Sequence, residues 1–154
     1  MRGYWNAPEL TARSYRAGRI PGERWLYSGD YFRQDEEGFL YFLGRKDDMI
    51  KCKGERVSPK EVENVLCELS GVAEAAVIGV PDEILGQAIK AFIVRGNGSS
   101  VTEREILRHC SERMETFMIP KFVEFLEEMP KSPHGKIDKG VLKRISPSNV
   151  SKSE

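Results

Sequence analysis

The chain has 154 residues, of which 40% are hydrophobic and 31% charged, so its length and composition suit one well-buried soluble domain, or one small domain plus a piece of another. Its 24 basic and 24 acidic residues are interleaved, which argues against a nucleic-acid partner, and no apolar run reaches membrane-spanning length. Three scattered cysteines and two histidines lack metal-site spacing, so we expect no bound metal, reduced thiols and a cytoplasmic location.

The first 44 residues predict loops and a hairpin. Residues 1–24 show no sustained helical or strand period and contain several glycines and prolines, so we expect loop with short extended pieces. Residues 31–34 and 39–43 are aromatic, strand-like runs that predict a β-hairpin, with Gly38 available for positive φ in the turn. A lone hairpin is marginal in water. We therefore expect residues 1–44 to be an incomplete part of a larger domain.

Two helices are predicted by their start signals. A short hairpin is expected to turn near Gly54, and Ser58 then caps a helix with Glu61 in position for a capping box. Thr102 and Glu105 repeat this start signal before a second amphipathic run. Both helices place apolar residues on one face, as expected of helices that cover a sheet.

The region between and after these helices predicts three buried strands, at residues 75–80, 88–94 and 121–126. The fold class is therefore α+β, a small three-stranded sheet with covering helices plus β-hairpins, preceded by a fragment of another domain's β subdomain. We expect this α+β domain over residues 45–145. The serine-rich residues 146–154 predict a solvated tail.

Four short segments are candidates for chemistry, although each alone is typical of a turn or a charged loop: residues 28–30, 44–48, 53–56 and 130–138. Taken in order, they resemble the adenylate-forming ligase superfamily, which includes acyl-CoA synthetases, amino-acid adenylation domains and firefly luciferase. The residues that carry the resemblance are Gly3-Tyr4-Trp5-Asn6 with Pro8-Glu9, Ser28-Gly29-Asp30, Asp35 with Gly38, Gly44-Arg45 with Asp47-Asp48, Ile50-Lys51, Gly54, Arg56-Val57, Pro59, Glu61-Val62-Glu63, and Pro130-Lys131 with Gly135-Lys136-Ile137-Asp138. The resemblance extends to about Arg144.

The resemblance implies a two-step reaction. A carboxylic acid reacts with ATP, supplied with Mg²⁺, to give an acyl adenylate and pyrophosphate, and a thiol such as CoA then displaces AMP. It also implies a large amino-terminal domain that ends near residue 44 and a small mobile domain over 45–145. A phosphate loop and an acid pocket are not found in the sequence, so the fragment is expected to be inactive alone.

The resemblance assigns roles to five residues. Asp30 is similar to the aspartate that binds the ribose hydroxyls, and a carboxylate suits a vicinal diol. Arg45 corresponds to an arginine that approaches the ribose, and Asp47 to the hinge. Gly54 corresponds to a glycine beside the pantetheine tunnel, and Lys136 to the lysine that reaches the carboxylate and α-phosphate during adenylation.

Two alternatives remain open at this level. Basic Lys53 and Arg56, with Lys51, suit the phosphates of CoA, but they also suit an acidic acyl carrier protein as the acceptor. A non-catalytic binding or regulatory module is the second alternative, against which Lys136 in a proline-bounded loop argues. Small departures from the family pattern, Ser28 for threonine and His134 for asparagine, leave the assigned roles unchanged.

Overall fold

The computed structural model describes residues 2–146. The contacts of the chain divide it after Asp47 into two compact units. The first unit contains helix α1 (Pro8–Ser14) and strands β1 (Tyr15–Ala17), β2 (Arg24–Leu26), β3 (Asp30–Gln34) and β4 (Leu40–Arg45). Strands β1 and β2 form one antiparallel hairpin and β3 and β4 form another.

The hairpin predicted after residue 30 is confirmed as β3 and β4. Its turn is held by Asp35, whose carboxylate accepts the backbone N–H groups of Glu37 and Phe39 and the Tyr41 hydroxyl, and Gly38 has a φ of 91°. The Tyr41 hydrogen bond and these N–H groups lower the pKa of the Asp35 carboxyl. The turn is therefore defined by local hydrogen bonds.

The prediction of loop over residues 1–24 is wrong for α1. Pro8 occupies the first turn of this helix, and the Thr11 hydroxyl donates to the Ala7 carbonyl and accepts the Tyr4 N–H. The helix has only seven residues and none of them is buried. Because it has no apolar stripe, hydrophobic periodicity gives no signal for it.

The second unit is built on a sheet with helices on both faces. Its strands are β5 (Ile50–Cys52), β6 (Glu55–Val57), β7 (Val72–Asp82), β8 (Gly86–Arg95) and β9 (Phe122–Leu126), and its helices are α2 (Pro59–Glu68), α3 (Glu103–Ser111) and α4 (Lys139–Ile145). The sheet order is β6-β5-β8-β7, and β9 pairs with β8 in parallel. The three predicted strands are β7, β8 and β9, but the sheet has five strands because the β5–β6 hairpin joins β8 where Cys52 lies opposite Gly86.

Alternate residues of the long β7–β8 ribbon supply two apolar clusters. Val77 of β7 packs in one cluster with Leu66 of α2 and Ile106 of α3. Its neighbour Ile78 packs in the other, with Leu142 of α4. All of these side chains are at most 2% exposed. The β7–β8 ribbon thus lies between the two apolar clusters, and the loops of this unit are attached to it.

The predicted caps of the two longer helices are present. The Ser58 hydroxyl accepts the Glu61 N–H at the start of α2, and Thr102 with Glu105 forms a complete capping box at the start of α3. Together with the sheet described above, these helices confirm the mixed α+β class.

Helix α4 was not predicted, because it is short and Leu142 is its one buried residue. Asp138 caps it by accepting the N–H groups of Gly140 and Val141. The predicted solvated tail is wrong at Ser146, which is buried and whose N–H bonds the Leu142 carbonyl as the helix ends. The rest of that tail, residues 147–154, lies outside the described residues.

Within residues 2–146, none of the helices has the length and apolar character that crossing a membrane requires. In the same part of the chain, no three His, Cys, Asp or Glu side chains come together as a candidate metal site.

Candidate functional site

Asp30 and Arg45 face each other at the open end of the β3–β4 hairpin. They are paired in strand register, and the Arg45 Nη1 atom lies 3.6 Å from the Asp30 Oδ1 atom. Arg45 also donates from Nη2 to the Ser28 carbonyl at 3.4 Å. The structure therefore brings together the two residues that the sequence assigned to a ribose.

The Asp30 carboxylate keeps acceptor capacity for a ligand. At 3.6 Å its contact with Arg45 is an ion pair and is too long to be a hydrogen bond. The segment before it is fixed, since the Ser28 hydroxyl accepts the Asp30 N–H and the Lys46 N–H donates to the Gly29 carbonyl. A β-bulge between Tyr31 and Phe32 adjoins the site, a position at which bulges often redirect side chains.

Gly54 lies at the tip of the β5–β6 hairpin. Lys53 and Gly54 have φ values of 54° and 86°, the paired left-handed conformation of a tight two-residue turn. A Cβ atom added to Gly54 would meet no heavy atom within 4 Å. The Lys53 N–H donates to the Leu85 carbonyl in the β7–β8 turn, which fixes the tip against the sheet. The turn is therefore fixed by hydrogen bonding, and the space next to the Gly54 Cα atom is open.

Two basic residues of this hairpin share one face of the sheet. Lys51 and Arg56 are directly opposite each other in register, and both are exposed. Like charges placed opposite each other in an antiparallel pair are destabilising. With Lys53 at the tip they outnumber the one acidic residue of the hairpin, Glu55, so the net charge around Gly54 is positive and favours an anionic ligand there.

Lys136 follows the turn of a third, very short hairpin. The Gly135 N–H donates to the Ser132 carbonyl, the Ser132 N–H donates to the Lys136 carbonyl, and Gly135 has a φ of 75°. This is a three-residue hairpin loop with a glycine bulge. Lys131 and Ile137 pair across its base. The sequence placed Lys136 in a flexible-looking loop, and the structure gives this loop defined hydrogen bonds.

Two acidic residues that sequence reasoning missed hold the base of the Lys136 hairpin. The Lys131 ammonium group lies 2.8 Å from the Glu74 carboxylate of β7, and the Lys139 ammonium group lies 2.7 Å from the Glu63 carboxylate of α2. The hydrogen bond to Glu74 raises the pKa of Lys131. Glu63 is one of the residues that carry the family resemblance, but no local sequence signal indicates either ion pair.

The Gly54 and Lys136 hairpins are attached at different places on the β7–β8 ribbon. The Gly54 hairpin meets it at Gly86, which pairs with Asp82 at one end, whereas Lys131 is anchored on Glu74 near the other end. From Glu74 to Asp82 the strand extends about 26 Å, at roughly 3.3 Å per residue. Asp30 and Arg45 belong to the first unit, and Asp47 lies in the 3₁₀ turn Lys46–Asp48, directly before the division between the units.

Comparisons with known proteins match this arrangement of elements. Residues 61–136 match the family described as AMP-binding enzyme C-terminal domain. The chain is 44% identical over 137 residues to a long-chain-fatty-acid–CoA ligase of Yersinia pestis, covering 89% of this chain and 23% of the relative. It is also similar to two solved structures. ATP-bound MatB from Rhodopseudomonas palustris has a TM-score of 0.81 and 33% identity, covering 94% of this chain and 28% of that one.

The second structure is the amide bond synthetase McbA from Marinactinospora thermotolerans, with a TM-score of 0.82 and 33% identity, covering 93% of this chain and 28% of that one. The chain therefore spans about a quarter of the length of the relatives it matches. The resemblance predicted from the motifs is confirmed at the level of family and fold.

Proposed function

Because residues 61–136 belong to the AMP-binding enzyme C-terminal domain family, we propose that the chain is the carboxy-terminal part of an ATP-dependent acid:thiol ligase. The intact enzyme activates a carboxylic acid as an acyl adenylate and transfers the acyl group to CoA. The naming of the Yersinia pestis relative as a CoA ligase supports this proposal. The acid pocket and the phosphate loop belong to a large amino-terminal domain, and without that domain the chain is inactive.

The observation that carries the proposal is the attachment of two functional hairpins to one rigid ribbon. The Lys136 hairpin serves adenylation and the Gly54 hairpin serves thiol attack. The Gly54 hairpin joins the ribbon at Gly86, opposite Asp82, and the Lys136 hairpin is anchored on Glu74, about 26 Å from Asp82 along β7, so we do not expect one rigid unit to present both hairpins to the same reacting atoms at once. The unit must therefore reorient between the two half-reactions.

In adenylation, the carboxylate of Asp30 accepts hydrogen bonds from the ribose hydroxyls, and Arg45 borders the same sugar. Lys136 brings a compact, mobile ammonium group to the acid and the α-phosphate, where it stabilises the charge that develops during transfer. Its exposure and its place next to a hydrogen-bonded turn support this role, because the ammonium group can reach outward from a fixed backbone.

In the thiol step, the open space beside Gly54 admits the narrow pantetheine arm, and Lys53 and Arg56 meet the phosphates of CoA. The same charges suit an acidic carrier protein, which is the alternative acceptor. Measuring acyl transfer by the complete enzyme to CoA and to an acyl carrier protein separates these two acceptors. Asp47 is the proposed hinge, and the division of the chain directly after it supports that assignment.

The experiment that tests the proposal is substitution of Lys136 by alanine in the complete enzyme. The loss of one group that stabilises transition-state charge typically costs about 2.7–4 kcal/mol, so adenylation should slow by roughly 10² to 10³. Attack of the thiol on a supplied acyl adenylate should be nearly unchanged. Lys143→Ala is the matched control, because Lys143 is also exposed but lies on the last turn of α4. Equal slowing of both half-reactions by Lys136→Ala would refute the assignment, and no slowing of either would favour a non-catalytic module.

A further inference from the structure

We propose that Glu74 and Glu63 are positioning residues for Lys136: by pairing with Lys131 and Lys139 at the base of its hairpin, they hold the loop and leave Lys136 as its uncompensated lysine. This inference rests on the proposed role of Lys136 in adenylation. The two glutamates are proposed to orient Lys136, and neither carboxylate is proposed to contact a substrate.

Backbone hydrogen bonds order the loop up to Lys136. Asp138 donates its N–H to the Pro130 carbonyl at 2.8 Å, and Ser132 donates to the Lys136 carbonyl at 2.7 Å. These bonds fix the hairpin internally. They do not fix its direction relative to the rest of the unit, which requires contacts with other elements.

Ile137 packs against the apolar cluster that contains Ile78 and Leu142, and the two ion pairs add contacts on both sides of the turn. Lys131 precedes the turn and is tied to β7 through Glu74, while Lys139 follows it and is tied to α2 through Glu63. Glu63 is itself fixed, because its Oε1 atom also accepts the Val77 N–H at 3.0 Å, and its side chain is only 11% exposed. The hairpin is thus fastened to the two elements that border it.

The charge pattern selects one lysine. Three lysines lie within the nine residues 131–139, and the first and last of them are neutralised by carboxylates. Lys136 has no ion-pair partner among residues 2–146. The arrangement leaves one cation available to meet a phosphate and removes two competitors from its vicinity.

The Glu74–Lys131 pair is too exposed to matter much for folding. Its two side chains are 35% and 40% exposed, and pairs of this kind contribute little to the free energy of unfolding. Loss of geometry is more costly, since a misplacement of about 1 Å can reduce a catalysed rate by about 100-fold. An effect of this pair on the rate should therefore greatly exceed its effect on stability.

The test is a charge exchange in the complete enzyme. Glu74→Lys should slow adenylation by about 10-fold to 100-fold through kcat, with the KM for ATP and the thiol half-reaction unchanged. Adding Lys131→Glu should restore the rate, because the ion pair reforms with reversed polarity. The control is the same exchange at Lys90 and Glu124, a pair with the same 2.8 Å separation between β8 and β9. It should leave both half-reactions unchanged.

A second measurement uses the present chain, so that it does not depend on catalysis. Amide hydrogen exchange at Ser132 and Gly135 should accelerate in Glu74→Lys and recover in the double variant, while the β7–β8 amides stay protected. The inference is overturned if Glu74→Lys adenylates at the original rate, if the double variant fails to recover, or if the control exchange slows adenylation equally. If Lys136→Ala itself leaves adenylation intact, the proposed function fails instead, and these two failures are distinguishable.

Discussion

Replacement of Gly54 by leucine distinguishes the conformational requirement for glycine in the turn from the space that a bound ligand would require. Gly54 has a φ of 86°, and a Cβ atom there would meet nothing within 4 Å. Gly98 provides a matched position, with a φ of 74° and the same open surroundings, in the loop between β8 and α3. The two glycines therefore differ in location, whereas their backbone conformation and steric freedom are alike.

The expected stability loss is similar for the two variants. A residue other than glycine in the left-handed region costs about 1–3 kcal/mol, and an added Cβ atom meets no heavy atom within 4 Å at either position. For a domain of about 100 to 150 residues, about 1 kcal/mol lowers the thermal midpoint by roughly 4 °C. Thermal unfolding of Gly54→Leu and Gly98→Leu in the present chain should thus give comparable decreases.

The functional loss should be confined to Gly54. In the complete enzyme, Gly54→Leu should obstruct the thiol path and slow acyl transfer from a supplied adenylate, while adenylation proceeds normally. Single-turnover measurements of the two half-reactions give both rates, and Gly98→Leu should alter neither. The reasoning is refuted if the two variants slow thiol transfer equally, because the effect would then follow from backbone strain, or if Gly54→Leu slows adenylation as much as transfer.

Two further predictions concern the hinge and the response to acid. If the enzyme rests in its adenylating state, Asp47→Pro should spare adenylation and slow thiol transfer, because proline fixes φ and so restricts rotation about the hinge. The fixed φ of proline is compatible with the 3₁₀ turn in which Asp47 lies. Asp47→Ala is the control and should slow neither step. The hydrogen bond from Lys121 lowers the pKa of the Asp82 carboxyl, so its stabilising contribution is present above about pH 3.9 and is lost as pH falls through the lower folded-state pKa. Asp82→Asn should accordingly lower the thermal midpoint at pH 7, and a gap from the original protein that persists unchanged at about pH 2 would contradict this.

The sequence was informative where an element carries its own signal. The helix at Pro59–Glu68 and the helix at Glu103–Ser111 begin with side-chain caps and have buried apolar faces, so local chemistry and periodicity agree. The long strands β7 and β8 contain predominantly apolar segments, at residues 75–80 and 88–94. Helices α1 and α4 lack this redundancy, because each has seven residues and at most one is buried. Their formation depends on capping and local context that periodicity does not report.

The number of strands in the sheet illustrates a different limit. The β5–β6 hairpin was predicted from its turn. Its membership in the sheet depends on one bridge between Cys52 and Gly86 and on two hydrogen bonds, from the Lys53 N–H to the Leu85 carbonyl and from the Lys51 N–H to the Gln87 side chain. These contacts join segments about 30 residues apart, and hydrophobic pattern does not specify them. The prediction of the hairpin was therefore correct while the strand count was too low.

For the candidate site, too, the sequence predicted some residues and missed others. Motif resemblance predicted roles for Asp30, Arg45, Gly54 and Lys136, because these residues occur in short motifs of fixed order along the sequence. The residues that hold them were not identified, since Glu74 and Lys131 are 57 positions apart and a single acidic residue on a strand predicts nothing by itself. An exposed ion pair contributes little to stability, so its place in the fold also gives no reason to expect it. Its position at the base of the Lys136 hairpin does give a reason. The role proposed for Lys136, contact with a phosphate in one half-reaction, requires a fixed backbone, and in our proposal the two flanking pairs hold that backbone without using the lysine itself.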